Sequence, residues 1–349
     1  MRQLVTVAGR ATSLQVLTLI AVIAGHPTSA RAHVKWFCAF DVAGQPQSLE
    51  NVLCPDFEQL TGIALAVLLA GCFLERSILG HALTRALDRV TSVIQSNTEI
   101  LLRATCGFFF VAIWTLGDII LTPELKTSAP YVPWLQLVVA AGLIWRRTLA
   151  VSALGIVALY GIAIQRYGIF HLMDYPIFLG IAAFFALTSF QRKLFGTRPL
   201  DVVRWAAAIT LMWASIEKWA YPEWTFPLFA THPSMSMNFD IAFFMRAAGV
   251  VEFTLAFALL WSPLVRRSAA IILAGIFFSA IPEFGKLDAI GHSAIIAVLI
   301  VIAADNAPAG ARSRLFQPML APMGYAVSLV AFLTLYYVAH MALFNTDVF

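Results

Sequence analysis

Charge is what this 349-residue sequence has least of: Asp, Glu, Lys and Arg together make up 12% of it, against 60% hydrophobic residues. With a mean hydropathy of +0.82, the chain carries more apolar surface than a soluble fold can bury, which directs it to an all-α, polytopic membrane helix bundle. Cysteine is equally scarce. Four cysteines, with no CxxC and no Cys/His spacing of the zinc kind, exclude a disulfide scaffold and a zinc finger. No GxGxxG, GxxxxGK[ST], HExxH or GxSxG occurs, so nucleotide use, zincin chemistry and serine hydrolysis have no footing. The net charge of +4 and pI near 9.0 do not signify nucleic acid either. The basic residues stand as short arginine pairs between apolar runs, without interleaved aromatics, and act as topology signals.

Residues 1–32 combine a basic start (Arg2, Arg10), a short apolar core over 14–25 and the triplet Ala30-Arg31-Ala32. This is the pattern of a signal peptide cleaved before His33, with an uncleaved first anchor as the other reading. Residues 33–57 have no sustained helical period and are expected outside the membrane, where Cys38 and Cys54 either close a small loop or stay free thiols. About ten apolar runs follow: 60–74, 100–121, 132–145, 149–165, 172–190, 202–219, 239–261, 269–281, 289–303 and 325–343. Residues 58–199 therefore form a first group of transmembrane helices. Within it, residues 78–94 repeat apolar positions at helical spacing around His81, Arg85, Asp88 and Arg89, which predicts an interfacial amphipathic helix. Alternating the runs puts Arg76, Arg85, Arg103, Arg146, Arg147, Arg198, Arg204, Arg266 and Arg267 on one side, with Arg312 and Arg314 in residues 306–349, ahead of and including the last helix. The positive-inside rule makes that side cytoplasmic and places the start at His33 and the C-terminus outside a bacterial-type inner membrane.

Ionisable residues recur inside apolar segments only between 214 and 292: Glu217, Lys218, Arg246, Glu252, Glu283, Lys286, Asp288 and His292. A charge at mid-bilayer costs roughly 2.5–3.5 kcal/mol, so such residues line a cavity or pair with one another. Glu217, Arg246, Glu252, Glu283 and Lys286 are the candidate working residues, with Glu252 deepest and Arg246 or Lys286 as its partner. A purely structural set of interhelical ion pairs is the alternative. Residues 220–240, rich in aromatics and proline, suit a lid over this cluster or an ordinary interfacial belt. A second, metal-like set consists of His33, His171 (with Met173 and Asp174), His232 (with Met235 and Met237), His292 and His340 (with Met341). Imidazole with thioether suits copper. For haem, His292 and His340 are the two histidines deep enough.

From Trp205 to Asp305 the chain resembles the DoxX/DoxD-like family of four-helix membrane proteins. The segments that carry the likeness are WASIEKWAYPEW, with Lys218 and Pro222 at the helix end, RAAGVVEFTLAFALL, with Gly249 and Glu252, and IPEFGKLDAIGH. The resemblance implies a four-helix unit over 200–305 and a quinone- or sulfur-linked redox role, similar to a thiosulfate:quinone oxidoreductase subunit, with redox or respiratory partner subunits and membrane lipid around it. Two other classes stay open on the residues alone. One is a transporter or copper/metal-uptake permease using Glu252 and Arg246 at the midplane; the other is a non-catalytic assembly factor for a respiratory enzyme.

Overall fold

The computed structural model describes residues 40–193, 196–236, 239–307 and 320–346. The signal region, His33 and Cys38 lie outside these, as do Met237, Arg312 and Arg314. Among the described residues the chain is an all-α bundle: α1 (Leu49–Val52), α2 (Pro55–Arg76), α3 (Ile78–Ser96), α4 (Thr98–Leu116), α5 (Val132–Gly142), α6 (Leu149–Leu172), α7 (Pro176–Ser189), α8 (Pro199–Ala220), α9 (Phe226–Thr231), α10 (Ile241–Ala258), α11 (Pro263–Ala304) and α12 (Leu320–Phe344). Six helical segments are long and apolar enough to cross a membrane, and α5 and α7 are shorter apolar helices. The chain is a multi-pass membrane protein.

Prolines start many of these helices. Pro55, Pro133, Pro176, Pro199 and Pro263 stand in first turns, where the missing N–H costs nothing and the fixed φ suits the helix. Asp240 caps α10 by accepting from the Phe243 amide, and Ser77 caps α3 by accepting from the Gly80 amide. The run over 100–121 does not stay helical to its end. The helix stops at Leu116, and Gly117 (φ 72°) and Asp118 (φ 53°) turn the chain into a loop closed by an Ile119–Lys126 bridge.

α11 spans 42 residues, which as a straight helix would be about 63 Å long, yet its two ends touch. Arg267 Nε donates to the Ala303 carbonyl at 2.8 Å, and Arg266 donates to the Asp305 carbonyl at 2.9 Å. Midway, the rings of Phe277 and His292 lie 4.8 Å apart. The break is Gly285 (φ 73°, ψ −150°), a conformation that a Cβ would strain. Pro282, three residues earlier, weakens the same stretch. The runs over 269–281 and 289–303 are thus the two arms of a helical hairpin.

The end of the bundle where the hairpin closes is rich in arginine. Asp305 takes Arg198 (2.8 Å), Arg266 (3.4 Å) and Arg204 (3.7 Å), while Asp201 takes Arg198 and Arg204. Burial alone would raise the Asp305 carboxyl, but the Arg198 hydrogen bonds and the Arg266 charge outweigh it and hold its pKa below the usual value. Arg267, fully buried, donates to Asp88 at 2.6 Å and to Thr91 at 3.0 Å. That contact holds Asp88 and Thr91 against the bundle, while Ile78, Leu79, Val90 and Val93 face outward alongside the exposed His81, Arg85 and Arg89, the mixed apolar and basic surface of a helix lying at a membrane interface.

At the other end, residues 42–47 pack over the tips of α8 and α12. Gln47 donates its amide to the Ala220 carbonyl, and Tyr337 donates to the Gln47 carbonyl. Tyr221 donates to the Gly44 carbonyl, and its hydroxyl is 2.7 Å from His340 Nε2.

Candidate functional site

Three elements carry acids or bases to one place inside the bundle. α8 supplies Glu217 and Lys218 from its last two turns, α10 supplies Glu252, and the second arm of α11 supplies Asp288 and His292, one turn apart on one face. Together they line a cavity of about 240 Å³. Phe178, Leu211, Ile276, Phe277, Phe284 and Ile295 make its walls largely apolar, Asp174 and Tyr175 close one side, and Leu228 of α9 reaches in from the segment read as a lid. On the first arm of α11, Ile276, Phe277 and Ala280 face the cavity while Ile271, Ile272 and Phe278 are exposed. One helix thickness therefore separates the cavity from surrounding lipid.

The close fit of α8 on α10 sets the spacing across this site. Trp219 Nε1 donates to the Arg246 carbonyl at 3.1 Å, and its indole lies directly over Gly249, where a Cβ would stand 2.2 Å from Nε1. One turn beyond, the Lys218 ammonium reaches Glu252 at 2.8 Å, with both side chains about one-fifth exposed (21% and 19%). Lys218, not Arg246 or Lys286, is the partner of the deepest acid. Asp288 is fully buried. His292 Nδ1 is 3.0 Å from its Oδ1, close enough for charge pairing but poorly aligned for a hydrogen bond, and among the described residues neither carboxylate oxygen of Asp288 accepts one.

Of the five candidate working residues, Glu217 and Glu252 line the cavity. Arg246 points away to Asp56 at 3.2 Å, at the start of α2. Glu283 pairs with His232 at the hairpin tip, and Lys286, next to the Gly285 break, is not among the lining residues. Lys218 and Asp288, which the reading of the sequence did not select for this work, line the cavity as well. Their signal was present in the spacing: Asp288 stands four residues before His292, and Lys218 ends the same helix face as Ala214 and Leu211.

The histidines do not assemble into one metal centre among the described residues. His171 bonds Glu124, His232 bonds Glu283, His292 pairs with Asp288, and His340 is occupied by Tyr221, Thr346 and the Val42 carbonyl. A haem held between His292 and His340 does not fit this arrangement, because one lines the cavity and the other is locked under residues 42–47. The group that does bring metal-ligand atoms together is Glu124, His171 and Asp174. Glu124 escaped the sequence reading because it belongs to the loop after α4. No protein-family model matches this chain, and neither a curated protein nor a solved structure matches it.

Proposed function

We propose that this inner-membrane protein binds the headgroup of a quinone or quinol in the cavity and exchanges protons with it. The observation that carries the reading is Asp288, a buried carboxylate in an apolar-walled cavity whose oxygens accept no hydrogen bond among the described residues. A buried acceptor without a donor is costly, and a quinol hydroxyl is a donor that an apolar ring delivers to such a place. At about 240 Å³ the cavity falls below the roughly 300–1,000 Å³ of pockets for drug-sized ligands. That suits a single ring whose tail leaves past the first arm of α11 into lipid. Oxidation of a quinol releases two protons and two electrons, and the Asp288–His292 and Glu252–Lys218 pairs are placed to take up the protons. Completing the oxidation requires a separate electron acceptor, a haem or iron–sulfur centre on a partner subunit; the residues of this chain supply binding and proton uptake. The likeness of residues 205–305 to the DoxX/DoxD-like family points the same way, and the cytoplasmic arginine end and external C-terminus follow from the positive-inside rule.

The test is quinone binding to the purified full chain in lipid nanodiscs, read by quenching of tryptophan fluorescence with a short-tailed quinone. Saturable binding is expected, weakened at least about tenfold in Asp288→Asn, a loss of roughly 1.4 kcal/mol. No saturable binding, or equal binding by the variant, would sink the proposal. A carrier would use the same paired charges. It would instead show quinone-independent proton or solute flux in proteoliposomes, abolished by Glu252→Gln.

A further inference from the structure

We infer that Glu124, His171 and Asp174 form a binding site for a divalent cation of the zinc class, at the end of the bundle opposite the arginine network. The three reach each other from separate pieces of chain. Glu124 comes from the loop after α4, His171 from the last turn of α6 beyond the break at Gly168 (φ 82°), and Asp174 from the connection to α7. One ligand atom from each lies within 4.8 Å of the other two, and His171 Nε2 is 2.7 Å from Glu124 Oε1.

The ligating side chains are withdrawn from solvent: the His171 and Glu124 side chains are 4% and 3% exposed, although the Glu124 residue as a whole is only partly buried, and Asp174 is 6% exposed. With bonds of about 2.0–2.2 Å to nitrogen and oxygen, ligand atoms around one zinc stand about 3.4 Å apart. Metal binding therefore contracts the widest separation by at most about 1.4 Å and replaces the direct His171–Glu124 hydrogen bond.

The donor set selects the ion. Two carboxylates and one imidazole are hard-to-borderline oxygen and nitrogen ligands, which suit zinc or manganese, and of these two zinc binds such sites more tightly. No sulfur belongs to the triad, so copper(I) is not its match. The charges agree, since two carboxylates and a neutral imidazole balance a dication. Tyr175 donates its hydroxyl to Glu124, the outer contact that fixes a ligating carboxylate. Three protein ligands leave a fourth position, and Asp174, with Thr122 and Tyr175, stands in the cavity wall. This inference is independent of what the cavity binds, because its readout is metal content.

The experiment strips the purified full chain with a chelator, reloads it with zinc chloride and measures zinc per chain after gel filtration, with a competition titration for affinity. One zinc per chain is expected, with affinity falling at least about 100-fold in His171→Ala and Asp174→Asn and roughly 10- to 100-fold in Tyr175→Phe. Folded wild-type protein that retains no zinc overturns the site. Zinc retained equally by the variants means an adventitious ion only and overturns it too. Should the variants elute as aggregates, X-ray absorption on the zinc-loaded wild type decides. A shell of nitrogen and oxygen with one imidazole supports the assignment, whereas sulfur, or two or more imidazoles, overturns it.

Discussion

The two ends of this bundle hold comparable numbers of ionisable side chains and use them in opposite ways. At the arginine end two acids are each shared by two or three guanidinium groups: Asp305 with Arg198, Arg204 and Arg266, Asp201 with Arg198 and Arg204. Across the membrane the acids meet single partners, Glu252 with Lys218 and Asp288 with His292, and they surround a cavity. Multiply paired charge holds helices together; singly paired charge around open volume is available to something else. Counting charged residues cannot separate these uses, but the number of partners each charge has does.

The sharpest way to break this contrast is Asp305→Ala. It removes a shared acid from three arginines, one of them, Arg266, almost wholly buried, and should destabilise the bundle by roughly 3–5 kcal/mol, the cost typical of breaking a buried ion pair. Thermal unfolding in detergent reads it. The same acid gives a pH signature. Its folded pKa lies below the unfolded value of 3.8, so its contribution is complete above that value and is lost as pH falls through the folded pKa. Acid unfolding of wild type should steepen below pH 3.8, and in Asp305→Ala that step should disappear.

Gly249→Ala comes next. Its methyl would press on the Trp219 indole and push α8 from α10, at about 1–3 kcal/mol for an overpacked core. Because that contact also spaces Lys218 from Glu252, the variant should lose ligand binding as well, a coupling that a merely structural contact at the arginine end would not show. Glu252→Gln should cost less, roughly 1–2 kcal/mol, since Lys218 keeps a neutral acceptor and some solvent. Adding Lys218→Gln should recover that stability while binding or turnover stays lost. The smallest stability change belongs to Asp288→Asn, about 1 kcal/mol or less, because its one partner, His292, makes no aligned hydrogen bond to it and is left beside a neutral amide of the same shape. A loss of several kcal/mol there would erase the distinction between the two ends.

Much of the fold was legible because it depends on local chemistry. All ten apolar runs fall mainly within helices, and the amphipathic period over 78–94 and the Pro282–Gly285 irregularity correspond to real features. Runs of apolar residues have a physical necessity behind them, since a backbone in lipid must bond itself. The meeting of Glu217 and Glu252 on one cavity was legible for the same reason, as each charge had to be hidden somewhere, whereas Glu283, expected beside them, pairs with His232 at the hairpin tip.

Partnerships were not legible. Arg246 looked like the natural mate of Glu252 on the same helix, yet it lies six residues away, on a different face from the i,i+3 and i,i+4 neighbours, and it finds Asp56, which is 190 positions earlier. Glu124 was hidden by a different cause. An apolar run continues past Leu116 while Gly117 and Asp118 take positive φ, and hydropathy does not register a backbone reversal. The clue that remained was topological: the loop holding Glu124 and the turn holding His171 fall at the same end of the bundle.

The Gly285 break also bears on how the chain enters the bilayer during synthesis. Both feet of the hairpin lie at the arginine end, with Arg266, Arg267 and Asp305 on one side, and the crest at the other carries Glu283, Lys286, Asp288 and His292 together. At roughly 2.5–3.5 kcal/mol for each charged Lys or Asp taken through the centre, an isolated second arm is a poor passenger. The first arm, uncharged from Ser268 to Pro282, is a good one. Insertion of both arms as one hairpin, with the apolar arm beside the charged one, is the route this distribution of charge favours.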